Sequence, residues 1–198
     1  IDSLLDQYQI DKWEAQPFYL EVWVEKEALI DVVAQICRPL DVSHFACKGY
    51  GSDSELYNAG KRLERESVSG KTPIVLHLGD HDPSGIDMTF DNEKRLSMFA
   101  RERIEVQRLV LNMNQIEEYS PPPNPAKLTD SRAKKYVREF GYSSWELDAL
   151  EPSVIQRLIK SHVMHYRDDK LWSESVQKEE ADKSKLREAA ELMDSGRI

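Results

Sequence analysis

Cysteine is scarce in this chain of 198 residues: only Cys37 and Cys47 are present. They stand apart in apolar surroundings with no C-x-x-C pair, so the expectation is buried free thiols, and neither a disulfide framework nor a thiolate zinc site. Long apolar runs are missing too. No stretch approaches the roughly 18 apolar residues that span a bilayer, and no charged-then-apolar leader opens the chain. The expectation is a cytoplasmic protein with no membrane attachment. Positive charge is the third deficit: 27 Lys and Arg face 36 Asp and Glu, a net charge of −9. A general basic surface for gripping nucleic acid is therefore absent, and any such binding has to be local. The first residue is Ile rather than Met, which leads to the expectation of a fragment or a processed product.

What is present is the composition of a globular protein, with 40% hydrophobic and 32% charged residues. YLEVWV (19–24) is rich in β-branched and aromatic residues, and KEALIDVVAQICRPL follows with Leu29, Val32, Val33 and Ile36 at helical spacing. The alternation repeats with strands at VSHFAC (42–47), PIVLHLG (73–79) and IEVQRLVLN (104–112). Between them lie helices in SDSELYNAGKRLERES, which begins near a Ser/Asp cap, and in IDMTFDNEKRLSMFARER, with Met88, Leu96, Met98 and Phe99 available for packing. Strands alternating with helices predict an α/β fold with a mostly parallel sheet covered on both faces.

The pattern changes after residue 113. EEYSPPPNPAKLTDSR carries Pro121, Pro122, Pro123 and Pro125, which favours an extended loop. Helices are expected at 131–140 and 151–165, and a charge-rich one at 167–194. The expected organisation is a lead-in helix or arm over 1–17, a sheet domain over 18–118, and a proline-rich loop with a helical C-terminal extension over 119–198.

LHLGDHDPSG (76–85) holds the chemistry. Asp80 and Asp82 follow the third strand, and residues two apart in an extended segment point to one side. In open α/β sheets ligands bind outside the carboxyl ends of the strands, which is where this pair falls. Asp82 before Pro83 also makes a good helix N-cap, a role that leaves Asp80 without an explanation. In VWVEKEA, Glu25 stands at the carboxyl end of the first strand, so adjacent parallel strands would join it to the two aspartates. Glu27 is the alternative ligand, but its place one helical step further on favours solvent. Oxygen donors without histidine or thiolate suit Mg²⁺ or Mn²⁺, the metals of phosphoryl transfer.

VEKEA followed about 55 residues later by GDHDPSG resembles the TOPRIM domain, with a glutamate after the first strand and a D-x-D pair after a later one. The form of both motifs is most similar to the A subunit of topoisomerase VI and its relatives in meiotic recombination. The resemblance covers roughly residues 18 to 113. It implies a Rossmann-like TOPRIM sheet and Mg²⁺-dependent DNA strand cleavage, by a nuclease or by topoisomerase-like phosphodiester transfer. Glu25 is then the acid/base or a metal ligand, and Asp80 and Asp82 are metal ligands. In that family a tyrosine on an upstream winged-helix domain attacks DNA. Nothing before Tyr19 is long enough for that domain, and Tyr8 and Tyr19 read as packing residues. The readings left open are a nuclease using water, the catalytic half of a machine whose tyrosine lies elsewhere, and a nucleic-acid-binding or scaffolding module without activity.

Two further segments are candidates for nucleic-acid contact. In CKGYGSDSE, Lys48 is placed to meet a phosphate, and Gly49 and Gly51 would let backbone N–H groups approach it; a plain glycine turn fits equally. KLTDSRAKKYVR gathers Lys127, Arg132, Lys134, Lys135 and Arg138, a set that also fits a solvated helix face. WELDAL offers another acidic pair, Glu146 and Asp148, at a helix lead-in, and His162 with His165 reads as structural. The expected partner is nucleic acid, DNA before RNA, with the charged C-terminal helix available for a homo-oligomer or a partner subunit.

Overall fold

The computed structural model describes residues 8–47 and 51–194, with side chains through residue 192. Four segments form strands close to their expected places: β1 (Phe18–Val24), β2 (Ser43–Ala46), β3 (Thr72–Leu78) and β4 (Glu105–Val110). They pair in the order β2-β1-β3-β4, each neighbour parallel, which gives an α/β, Rossmann-like sheet. The connecting helices are α1 (Ile30–Cys37), α2 (Asp53–Val68) and α3 (Pro83–Ala100). Beyond the sheet come α4 (Met113–Tyr119), α5 (Ala133–Phe140), α6 (Pro152–Tyr166) and α7 (Asp169–Asp194). Asn124–Pro125 and Ser143–Ser144 add a short antiparallel bridge. Among the described residues no helix is long and apolar enough to cross a membrane.

Alternation along the strands sorts the side chains onto two faces. Trp23, Val75 and Val106 turn one way and meet Leu56, Ala59 and Leu63 of α2 and Leu96 and Ala100 of α3. The other face lies under α1 and α6, which pack on each other through elements that bury Val33, Ala34, Ile155, Ile159 and Val163. Ser52 opens α2 with a reciprocal capping box to Glu55, as its Ser/Asp signal predicts. Met98, expected to pack, is exposed instead, because Leu96 and Ala100, four apart on α3, define the buried stripe and Met98 falls between them.

The chain forms two compact units. One is Pro17–Tyr166, so the segment after the proline-rich stretch belongs with the sheet. The other joins the described parts of Ile1–Gln16 and Arg167–Ile198. In it the lead-in is an arm pinned to α7 and its approach. Gln16 donates to the Asp168 carbonyl at 2.9 Å and accepts its N–H at 2.8 Å, Trp13 meets Trp172 edge-on, and Lys12 pairs with Glu179 at 2.9 Å.

One charge sits inside the sheet. Glu21 of β1 is fully buried, yet it accepts from Arg62 Nε (2.6 Å) and Nη2 (2.9 Å), Trp23 Nε1 (2.8 Å) and the Tyr19 hydroxyl (3.0 Å). Four donors offset the desolvation of one carboxylate. Removing the guanidinium would leave that charge underpaired. Arg62→Met is expected to lower unfolding stability in urea by about 3 kcal/mol, with Glu21→Gln recovering part of the loss in the double variant. A single variant as stable as the parent would contradict this account.

Candidate active site

The parallel register of β1 and β3 runs to the pair Val24 and Leu78, and continues one step as the Glu25 N–H donates to the Leu78 carbonyl at 2.8 Å. Gly79 is held from β4, its N–H on the Val110 carbonyl at 2.8 Å and its own carbonyl accepting the Leu111 N–H at 3.0 Å. The chain then leaves the sheet. Glu25 and Asp80 thus emerge from neighbouring strand ends, and the Asp80 N–H donates to Glu25 Oε2 at 3.2 Å. Two residues on, Asp82 caps α3, its Oδ1 accepting the Gly85 N–H at 2.6 Å with Pro83 in the first helical turn.

Space at this corner is tight. A Cβ on Gly79 would stand 2.8 Å from Glu25 Oε2, and one on Gly85 would stand 2.2 Å from the Asp80 carbonyl oxygen. A side chain at Gly85 would force the loop to move, while one at Gly79 would have to push the Glu25 carboxylate aside.

Arg108, on β4, grips the loop from its backbone side. Nη1 donates to the Gly85 carbonyl (2.9 Å) and Thr89 Oγ1 (3.0 Å), Nη2 to the carbonyls of Gly79 (2.9 Å) and Asp80, and Nε to that of Leu111 (3.1 Å). Four of its five N–H donors are thereby spent between Gly79 and Thr89, and the fifth on Leu111. Burial pulls the guanidinium down to about 10, against the charges of Glu25, Asp80 and Asp82, so it stays a cation at neutral pH.

The remaining wall comes from residues far along the chain. Backbone bonds join His81 and Trp145 in both directions (2.8 and 3.0 Å), and the His81 ring packs edge-on against Tyr136, Phe140 and Trp145. That docking aims the Leu147 N–H at Asp80 Oδ1, 2.7 Å away. Lys26 completes the rim, its Nζ lying 2.8 Å from Asp148, 2.9 Å from Glu146 and 3.5 Å from Asp80.

The carboxylates feel one another. Burial, then the charge of Asp80 and to a lesser extent Asp82, pushes Glu25 up to about 7 against the pull of the Asp80 N–H and Arg108. Asp80 is raised by burial too, with the Leu147 N–H and Lys26 opposing. Lys26 is raised: its hydrogen bonds to Asp148 and Glu146 outweigh the burial that would lower it. Like charges crowded at one strand end favour a cation among them.

The structure thus sets Glu25 and Asp80 at neighbouring strand ends, with Asp82 two residues on at the N-cap of α3, and leaves Glu27 exposed. Asp80 has a partly structural role that its sequence context hides, holding the 145–149 turn through Leu147. Lys48 and Gly49 lie outside the described residues. In the basic segment Lys127, Lys134, Lys135 and Arg138 are exposed, Lys135 over the Phe90 ring, while Arg132 pairs with Asp130 (2.7 Å) and Asp87 (3.4 Å). The His162 Nδ1 lies 3.0 Å from the Leu158 carbonyl within its own helix. Sequence reasoning missed Arg108 and Lys26. Arg108 carried a signal, since a charge in a strand covered on both faces demands an internal partner. Among the described residues no group of three or more His, Cys, Asp or Glu side chains is placed to hold a metal ion. The chain matches no protein-family model, and no curated protein matches it.

Two predictions test this corner. Gly85→Ala is expected to cost about 3 kcal/mol in denaturant unfolding, and a neutral result would contradict the close approach. His77, fully buried beneath the loop with Nδ1 2.9 Å from Thr89 Oγ1, is lowered to about 3 by burial and by Arg108. Its unfolded form takes a proton below about 6.5 and its folded form does not. The stability this neutral ring carries is therefore complete above pH 6.5 and is lost as pH falls toward 3. His77→Gln is expected to flatten that acid decline by up to about 1.4 kcal/mol per pH unit; parallel stability profiles for parent and variant would refute it.

Proposed function

We propose that this chain is a TOPRIM-type, Mg²⁺-dependent protein that cleaves phosphodiester bonds in nucleic acid, with DNA as the preferred substrate. The observation that carries the reading is the placement of Glu25 and Asp80 at the carboxyl ends of adjacent parallel strands, one hydrogen bond apart, with Asp82 two residues further on. The donors are all carboxylate oxygens in a site short of positive charge, which fits Mg²⁺ or Mn²⁺. Magnesium needs only one or two carboxylates and completes its shell with water and phosphate, so a closed protein cage is not required. When bound, the metal supplies Lewis-acid polarisation of the phosphodiester and stabilises the attacking or leaving oxygen.

The chain's own residues do the rest. Asp80 and Asp82 hold the cation, fixed in place by the Leu147 and Gly85 N–H groups. Glu25 is the third oxygen donor and the carboxylate placed to take a proton. Arg108 keeps the loop in one shape, and the exposed Lys127, Lys134, Lys135 and Arg138 offer local attraction for a phosphate backbone in an acidic protein.

The nucleophile is water or a group from outside this chain. Tyr136 lies near enough for the Asp82 charge, after burial, to raise it, but its hydroxyl is within 2.8 Å of both His81 Nδ1 and the His81 carbonyl and 3.0 Å from the Ser143 carbonyl. It is committed to the fold.

Asp80→Asn/Asp82→Asn keeps the cap and the loop shape while removing two charges. Calorimetric titration with Mn²⁺ is expected to lose its binding isotherm in this variant, and cleavage of plasmid and single-stranded DNA to fall at least about 100-fold. Free ends are the expected product; a covalent protein–DNA adduct would point to a tyrosine. Equal Mn²⁺ binding by parent and variant would sink the proposal, and binding without cleavage would favour a non-catalytic module.

A further inference from the structure

Lys26 is a single ammonium shared by three carboxylates. It lies 2.8 Å from Asp148 Oδ1, 2.9 Å from Glu146 Oε2 and 3.5 Å from Asp80 Oδ1. Of the three, only Asp80 belongs to the proposed metal site, and it is the most distant. We propose that Lys26 is the resident counter-cation of the site: it neutralises Asp80 in the metal-free protein, and a divalent cation displaces it from Asp80 while Glu146 and Asp148 keep hold of it. The inference rests on the metal reading above and adds a residue that competes for the same carboxylate.

Three features of the geometry support displacement over a fixed ion pair. Asp80 does not depend on Lys26 for its position, because the Leu147 N–H holds the same Oδ1 at 2.7 Å. The carboxylate keeps its aim when the ammonium leaves. Glu146 and Asp148 are about half exposed, at 53% and 47% of their side-chain area, so the released ammonium has charged partners at the solvent side. Lys26 itself directly follows Glu25 at the end of β1, so its backbone stays anchored while the flexible four-carbon stem moves. The acidic pair of WELDAL, which reads as a helix lead-in, thereby acts as a dock for the lysine.

A purely structural lysine would tie the 145–149 turn to the strand end and have no effect on metal affinity beyond loss of fold. The two roles separate in a calorimetric titration of the full chain with Mn²⁺, comparing the parent, Lys26→Met, Lys26→Arg and Asp80→Asn/Asp82→Asn. Removing a positive charge beside Asp80 is expected to tighten Mn²⁺ binding about tenfold or more in Lys26→Met. Lys26→Arg, which keeps the charge, is expected to remain close to the parent. Without metal, Lys26→Met is expected to melt at a lower temperature than the parent, and saturating Mn²⁺ to restore most of the difference. Binding that is lost in Asp80→Asn/Asp82→Asn but equal or weaker in Lys26→Met overturns the Lys26 inference alone. Binding unchanged by Asp80→Asn/Asp82→Asn, or absent from every form, overturns both the inference and the metal reading.

Discussion

The hydrogen bond from the Asp80 N–H to the Glu25 carboxylate joins two strand ends that each deliver negative charge. Parallel pairing of β1 with β3 brings them close, because the register that aligns Val24 with Leu78 sets Glu25 beside Gly79, one residue before Asp80. Carboxylates brought near one another at a partly buried corner repel, and here the charge of Asp80 adds to burial in raising Glu25. A fold whose total stability is of order 5–15 kcal/mol cannot carry several such contacts without compensation. Much of the surrounding structure supplies it.

Compensation comes from three directions. Arg108 lies behind the loop, its guanidinium bonded to the carbonyls of Gly79, Asp80 and Gly85, so it brings charge and shape together. The first turn of α3 presents the Gly85 N–H to Asp82, where a helix N-terminus favours an anion. Lys26 and the Leu147 N–H meet the Asp80 carboxylate itself. Even so, burial first and the charge of Asp80 second keep Glu25 pushed up to about 7. The two glycines follow from the same crowding: at Gly85 the loop passes so close to the Asp80 carbonyl that a methyl group has no room, and at Gly79 a methyl would displace the Glu25 carboxylate.

The sheet was legible because each strand carried its own local signal, and strand ends in a parallel sheet point to one edge. Glu25, Asp80 and Asp82 could be joined on those grounds alone. The rest of the site rests on long-range contacts with no periodicity to announce them. Leu147 reaches Asp80 across 67 positions and Asp148 reaches Lys26 across 122. WELDAL carries no local sign of what it will touch. Arg108 and Glu21 were readable in part, since each is a charge set in an apolar strand, but the donor or acceptor that satisfies each lies on a different element. Asp82 serves as cap and candidate ligand, and the capping signal disclosed only the first of these.

The most direct test of the account is the position of a metal in the crystal. Anomalous scattering from crystals soaked in Mn²⁺ is predicted to give a peak within coordination distance of the Asp80 and Asp82 carboxylates, at the carboxyl ends of β1 and β3 beside Glu25. A peak confined to other carboxylates, with Asp80 and Asp82 unligated at saturating Mn²⁺, would contradict it.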